Sequence, residues 1–489
     1  MTRSLERRPR GTILIVVLVV IMLISVVAYN YTLSMQTENI ASASHGDHLV
    51  ARQAAWSAID WFSAILEAPM SQRQSLLERE ALSRFSNGIL LAREQTEDQL
   101  SGPRFLVTTD AAVLGGPLAI DESTKIHLGM LVEWDAVVPG AGREALLRIP
   151  GMTPEIADGI LDWIDTDSDR RDNGAEASDY ERWQPRNGLP MHLEELLLVR
   201  GVQESLGDRR NQAPGIREDN TPVNLETILQ TWKQHLTLYS AEKNRSRDGF
   251  PRIFLNHSDL ALLYQQLVER MPLPWAQFII LYRQYGASTS VNPEISFREL
   301  SIDLNQSASF PITNILDLLD ASVTFTQAGK TVNIPSPFRS DPGLMSTQLL
   351  TLCDMTTTMN VPRMTGRINI NRAPPHILLA IPGLDPSIVE KIMAARSIAD
   401  GGSMLRYHPI WLLTEGIVSN QQMKSLLPYL NTGGDVYWAE FIGQATGTSS
   451  LYRCEAVIDA SGQRTQRVFF RELSPIKWAR FNDFTNRPN

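Results

Sequence analysis

TILIVVLVVIMLISVVAY, residues 12–29, decides how the rest of the chain is built. The run carries no charge, and at about 1.5 Å per residue it makes roughly 27 Å of helix, close to the thickness of a bilayer core. The residues ahead of it carry Arg3, Arg7, Arg8 and Arg10 against Glu6. The positive-inside rule therefore keeps residues 1–11 in the cytoplasm and places the chain beyond about residue 30 outside. A cleaved secretory signal is the competing reading. The run is longer than most such segments, and Ala41-Ser42-Ala43 comes too late to serve as a cleavage site. Past Tyr29 the helical pattern continues, with Ala55, Ala58, Ile59, Phe62, Ile65 and Leu66 at helical spacing until Pro69 stops them. Residues 12–67 read as one helix, on the order of 84 Å long, with Gly46 its weak point.

A basic leader ending in Gly, an apolar helix directly after it and an amphipathic continuation resemble the type IV pilin family. The resemblance implies that prepilin peptidase cuts between Gly11 and Thr12 and methylates the new N-terminus. Most pilin-like subunits have Glu at the fifth mature position, which here is Val16.

The whole chain has 489 residues, 43% hydrophobic and 20% charged, enough for roughly two to four domains. That composition excludes collagen-like, purely coiled-coil and wholly disordered chains. A net charge of −9 argues against a nucleic-acid binder, and Cys353 and Cys454 cannot build a thiolate zinc site. They could form one bridge in an oxidising compartment. The eight histidines are scattered, and no nucleophile elbow, zinc-protease motif or phosphate loop occurs, so no enzyme is expected. His45 and His48 flank Asp47 beside the membrane helix without a third ligand nearby, which fits an exposed polar face better than a metal site. Trp56 and Trp61 read as core or interface residues.

An internal repeat organises the rest. LLRIPGMTPEIADGI (Leu146–Ile160) aligns without gaps to LLAIPGLDPSIVEKI (Leu378–Ile392). Gly151 and Gly383 suit a left-handed helix end, and Pro154 and Pro386 open the next helix, so each copy reads as a helix-hairpin-helix unit. KIHLG (Lys125–Gly129), RIFLN (Arg252–Asn256) and RININ (Arg367–Asn371) share a second pattern, each just ahead of a helical segment. EELLLVRGV (Glu194–Val202) and PIWLLTEGI (Pro409–Ile417) are weaker echoes. Residues 70–100 are helix-compatible, whereas RFLVTTD (Arg104–Asp110) and LAIDESTKIHLG (Leu118–Gly129) look like strands. VYWAEFIGQA (Val436–Ala445), LYRCEAVID (Leu451–Asp459) and TQRVFFREL (Thr465–Leu473) form an expected antiparallel meander, with turns at Gly447 and Ser461-Gly462.

Helix-hairpin-helix units often hold DNA phosphates through a glycine-rich hairpin. Here Thr153 and Asp385 replace the second glycine. Ten acidic residues against three arginines between Glu155 and Arg182 would repel a duplex. A membrane-anchored, competence-like DNA-binding protein is therefore the alternative, and it lacks the basic face it needs. A soluble exported binding protein with a cleaved signal is the other rival.

The acidic run has its own chemistry. Asp158, Asp162 and Asp165 fall on one helical face, opposite Ile156, Ile160, Trp163 and Ile164, and like charges at that spacing destabilise a helix unless something offsets them. Asp167, Asp169, Asp172, Gly174 and Glu176 come next, in a turn-prone stretch whose carboxylates suit Ca²⁺, although the spacing is not that of an EF-hand. A solvated acidic loop explains the pattern equally well.

DESTKIHL (Asp121–Leu128), LLRIPGMTPEIADGILDWIDTD, the GAE of Gly174–Glu176 with Tyr180, EELLLVRGV and RININ together resemble the type II secretion system protein K family, over residues 11–205 and 366–475. These minor pseudopilins lack Glu at the fifth mature position. The resemblance implies an α+β fold: a pilin-like N-terminal membrane helix plus an antiparallel sheet, with a large inserted, mainly helical domain containing helix-hairpin-helix repeats. It also implies calcium in that domain, carried onto Asp165, Asp167, Asp169, Asp172 and Glu176. The implied partners are the other minor pseudopilins, the major pseudopilin, prepilin peptidase and the inner-membrane secretion platform, with the membrane and without nucleic acid. His127 stands where the family usually has Asn, and the stretch between the repeats is longer than usual.

The resulting map starts with a leader (1–11), a transmembrane helix (12–29), its amphipathic continuation (30–67) and a pilin-like α/β part (68–136). It continues with a helical domain carrying the acidic loop (137–206), a middle insertion or third repeat (207–365), a second hairpin unit (366–430) and a terminal meander (431–489). The expected protein is an inner-membrane, single-pass subunit with its bulk in the periplasm. It would cap the pseudopilus tip and support export of folded proteins across the outer membrane.

Overall fold

The computed structural model describes residues 12–75, 89–91, 94–96, 99–109, 118–181, 183–202, 225–289, 295–398, 406–446 and 450–473. The leader, with Gly11, and the expected turn at Gly447 lie outside them. Helix α1 (Thr12–Glu67) runs unbroken through Gly46. Residues 13–46 are exposed along their whole length, and among the described residues α1 is the one helix long and apolar enough to cross a membrane. From Ala51 onward one face is buried through Ala54, Ala55, Ala58, Ile59, Phe62 and Leu66. Four alanines on that face let the helix lie close to what it packs on.

That partner is an antiparallel sheet of β1 (Ile89–Leu90), β2 (Arg104–Thr108), β3 (Ile120–Asp121), β4 (Val436–Gln444), β5 (Leu451–Asp459) and β6 (Gln466–Leu473). The strand order is β1-β2-β4-β5-β6, and β3 pairs with the start of β4, Tyr437 opposite Asp121. Strand β4 is central, and its alternation puts Tyr437, Ala439 and Phe441 into the core with α1. The meander forms much as its sequence suggests, with a bulge between Val457 and Ile458. Trp61 packs tilted against Phe105 at 5.9 Å, and the Arg467 guanidinium lies over both Trp56 and Phe470, whose ring centroids are 5.4 Å apart.

Two local expectations need correction. Within residues 70–100, the described helix ends at Ser75 (Met70–Ser75), and Ile89–Leu90, Glu94–Thr96 and Gln99–Ser101 are strands. Pairing of β1 with β2 outweighs a weak helical propensity there. Leu118–Gly129 is not one strand. The Asp121 carboxylate accepts from the backbone N–H and the hydroxyl of Ser123, turning Glu122–Thr124 into a 3₁₀ turn between two short strands.

Everything between β3 and β4 is mainly helical and is organised as three modules. Each opens on a two-residue strand and closes on another that pairs with it in parallel: Ile126–His127 with Leu236–Thr237, Ile253–Phe254 with Thr356–Thr357, and Ile368–Asn369 with Leu430–Asn431. The opening strands lie in KIHLG, RIFLN and RININ, so the short sequence echo marks equivalent places in space. The first module holds α2 (Leu128–Val137), α3 (Ala141–Leu147), α4 (Pro154–Ile164) and α5 (Leu225–His235). The second holds α6 (Leu260–Arg270), α7 (Leu273–Tyr285), a hairpin (Ser322–Gln327 with Lys330–Pro335) and α8 (Leu350–Met355). The third holds α9 (Pro375–Leu378), α10 (Pro386–Ile398), α11 (Trp411–Thr414) and α12 (Asn420–Leu426). Gly151 and Gly383 both take positive φ, +81° and +89°, directly before α4 and α10.

The modules share one apolar core that includes Trp134, Trp163, Trp232, Phe278, Phe338 and Trp411. Asparagines fasten the second and third module from within. Asn256 donates to the Ile312 carbonyl at 2.9 Å and accepts from its N–H at 2.8 Å. Asn371 donates to the Arg406 carbonyl and accepts from the Trp411 indole. Cys353 and Cys454 are both buried and free, in separate cores.

Candidate metal centre

Helix α4 starts on Thr153, whose hydroxyl accepts from the Ile156 N–H, with Pro154 in its first turn. Its apolar face enters the shared core through Ile156, Ile160, Leu161, Trp163 and Ile164. The acidic face is buried as well: Asp158, Asp162 and Asp165 are at most 3% exposed, because residues 166–181 fold back over it. Such a face needs counter-charges, and two arginines supply them. Arg143 Nε donates to Asp158 Oδ1 at 2.6 Å, and Arg171 Nη1 donates to Asp162 Oδ1 at 2.7 Å and to Asp165 Oδ2 at 2.5 Å. Asn173 closes the other side of Asp158 at 2.9 Å. A Cβ at Gly174 would collide with Asp162 Oδ2, so glycine is what lets the returning loop reach this carboxylate.

Beyond Arg171 the compensation runs out. Carboxylate oxygens of Asp165, Asp167 and Glu176 lie within 4.8 Å of one another. Asp165 Oδ1 and Glu176 Oε1 are buried without any hydrogen-bond partner. Burial pushes the Asp165 carboxyl above its ordinary range despite Arg171. Burial, and then the neighbouring Asp162, Asp165 and Asp167, push Glu176 up too. Orphaned anionic oxygens of this kind are costly unless a cation meets them. The donor set is all hard oxygen, with exposed Asp167 leaving a side open to water, which fits Ca²⁺.

Of the sequence-expected ligands, the structure brings together Asp165, Asp167 and Glu176. Asp169 and Asp172 are exposed and stand outside that group, and the Asp169 N–H caps Asp167 Oδ1 at 2.9 Å. Sequence spacing did not reveal Arg171 as the counter-ion, nor Glu195, which accepts from the Trp163 indole and from Arg186 and holds the outer wall. Tyr180 packs edge-on to Trp163 at 5.5 Å, and its hydroxyl accepts from the Arg200 N–H. The EELLLVRGV segment thus braces the loop. Of the residues expected to mark processing and filament position, Thr12 begins α1 and Val16 is 59% exposed.

Residues 141–210, from α3 through the acidic loop and its brace, match the family model described as type II secretion system (T2SS), protein K. The chain is also similar to a chain in the crystal structure of the GspK-GspI-GspJ complex from the enterotoxigenic Escherichia coli type 2 secretion system. The identity is 11%, covering 86% of this chain and 96% of that one, with a TM-score of 0.32, a level at which the likeness carries no argument. No curated protein matches the chain. The acidic module and its brace are what the family model matches, so over residues 141–210 the chain is similar to type II secretion system protein K.

Proposed function

We propose that this chain works as a minor pseudopilin, a structural subunit and not a catalyst, placed at the tip of a type II secretion pseudopilus. The observation that carries the reading is the protein K match over residues 141–210 in a chain whose helix α1 is apolar and uncovered at one end and packed on a sheet at the other. Residues 13–29 expose Ile, Leu and Val on every side, which water does not tolerate, so lipid and then neighbouring helices would cover them. Val16 offers no carboxylate to a neighbouring subunit's N-terminal amine. That favours a terminal place, with the three modules too bulky to stack within a shaft. The arginines ahead of α1 support the inner membrane, a cytoplasmic N-terminus and a periplasmic bulk.

The solved GspK-GspI-GspJ complex joins protein K to two other Gsp proteins. Other minor pseudopilins are the partners proposed here, together with the major pseudopilin, prepilin peptidase and the inner-membrane platform. Calcium would be held by Asp165, Asp167 and Glu176 and would supply positive charge to their unpartnered oxygens. The two Gly-Pro turns at Gly151 and Gly383 are read as helix-hairpin-helix units used for packing. DNA binding is not favoured, since α4 and its loop present carboxylates.

The mass of the N-terminal peptide of protein taken from membranes tests the reading. A methylated Thr12 as first residue is the expected result, and a start well beyond Tyr29 overturns it.

A further inference from the structure

The three modules open on equivalent cations. Lys125, Arg252 and Arg367 each stand immediately before the opening strand. Lys125 is buried against Glu122, Nζ to Oε1 at 2.6 Å, and Arg367 meets Glu242 at 3.3 Å. Arg252 has no carboxylate within ion-pair distance among the described residues, and Glu242 and Asp354 reach it only from further off. Its Nε donates to the Asp354 carbonyl at 3.0 Å, and its remaining guanidinium nitrogens find no hydrogen-bond partner among the described residues.

Arg252 lines a cavity of about 410 Å³, a size that suits a small ligand. The walls come from the end of α1 with Pro69 and Arg73, from the mouth of the second module, and from Tyr407 and His408 of the third. Lys243 and Arg247 line it as well, and neither has a carboxylate within ion-pair reach among the described residues. Arg247 lies over the Tyr407 ring at 4.8 Å, and its Nε is buried with no acceptor. Five carboxylates also line the cavity. Asp435 is held by Arg73 and Glu242 by Arg367, Asp354 caps the Arg247 N–H, and Glu67 and Asp248 are exposed. With Arg245, six cations face these five carboxylates; Arg73 and Arg367 are paired, while Arg252, Arg247 and Lys243 stay without an ion pair among the described residues and feel Glu242, Asp354 and Asp435 only from further off. Burial holds the Lys243 ammonium below its ordinary range although Asp435 draws it upward, with Arg73 and Arg245 adding to the lowering, so an added anion would favour its charged form.

We propose that this cavity binds a small dianion through phosphate or carboxylate oxygens, with Arg252, Arg247 and Lys243 as its ligands. The anion supplies Arg252 with the counter-charge its two equivalents have from protein, and it ties the end of α1 to the second and third modules. The site is independent of the calcium loop and of the secretory role.

Thermal unfolding and titration calorimetry on the full chain in detergent, in calcium-free buffer at constant ionic strength, test this. The probes are inorganic phosphate and succinate, with chloride as control. Expected is a saturable rise of the midpoint with phosphate or succinate but not chloride, and the stronger probe identifies the source chemistry. Arg252→Gln should weaken binding at least tenfold. Lys243→Gln, whose ammonium bonds nothing in the fold, should weaken it similarly while leaving the unliganded midpoint in place. No saturable response to either probe overturns the proposal. So does wild-type affinity in both variants, which would mean an adventitious ion only.

Discussion

Gly443, near the end of β4, lies directly against Ala51 of α1: a Cβ there would collide with the Ala51 carbonyl oxygen and stand 2.5 Å from the Ala55 amide nitrogen. Both obstacles are backbone, so neither can swing aside. Gly443→Ala should lower the thermal midpoint of the full chain, at a cost of roughly 1–3 kcal/mol. Gly46→Ala is the contrast. Nothing lies within 4 Å of it, and removing a helix glycine should stabilise α1 by about 1 kcal/mol. Equal midpoints for wild type and Gly443→Ala would show that α1 does not seat on the sheet this closely.

Calcium should stabilise the first module by about 2.7 kcal/mol at a hundredfold excess over Kd, read as a rise in the thermal midpoint. Asp165→Asn and Glu176→Gln should each remove most of that rise, and Asp169→Asn should remove little, since Asp169 stands outside the cluster. The carboxyls of Asp165 and Glu176 sit above their ordinary 3.8 and 4.5, so their ionised forms oppose folding when no metal is bound. This penalty fades as pH falls toward those values, while protons displace the metal. The calcium-induced rise should therefore shrink from pH 7 toward pH 5, as read by paired melts with calcium and with chelator. A rise that grows on acidification would contradict the assignment.

His127 caps α2, its Nδ1 accepting from the Gly129 N–H at 3.1 Å, so Nε2 carries the proton and donates to the Leu238 carbonyl at 3.1 Å. Protonating Nδ1 would break the cap, and burial pulls the ring down to about 4 from 6.5. Between those pH values the unfolded chain takes up a proton that the folded one refuses. Stability is kept above 6.5 and lost progressively toward 4, on the order of 3 kcal/mol in all. His127→Asn keeps a capping oxygen and should flatten this part of the acid limb, which melts of the two proteins at pH 7 and pH 5 would reveal.

Cys353 and Cys454 should resist thiol reagents in the folded chain and react fully after unfolding. Both are buried, in separate cores, and burial raises each thiol to about 12. Native labelling counted by mass spectrometry checks this; one rapidly labelled cysteine would refute it.

The sequence alone determined what depends on neighbours a few residues apart. Helix α1, the strands of the meander, the glycines that end a helix at Gly151 and Gly383 and the prolines that begin the next were all legible, because periodicity and capping are local. Only the tertiary structure decided which distant pieces meet. Strands β1 to β3 find β4 from the far end of the chain, and the echoes KIHLG, RIFLN and RININ each pair with a strand that closes their module. In the acidic loop, spacing offered five equivalent carboxylates. Folding buried Asp165 and Glu176, left Asp169 and Asp172 in water and set Arg171 among the anions. Burial and counter-charge come from the three-dimensional neighbourhood, and no spacing along one segment encodes them.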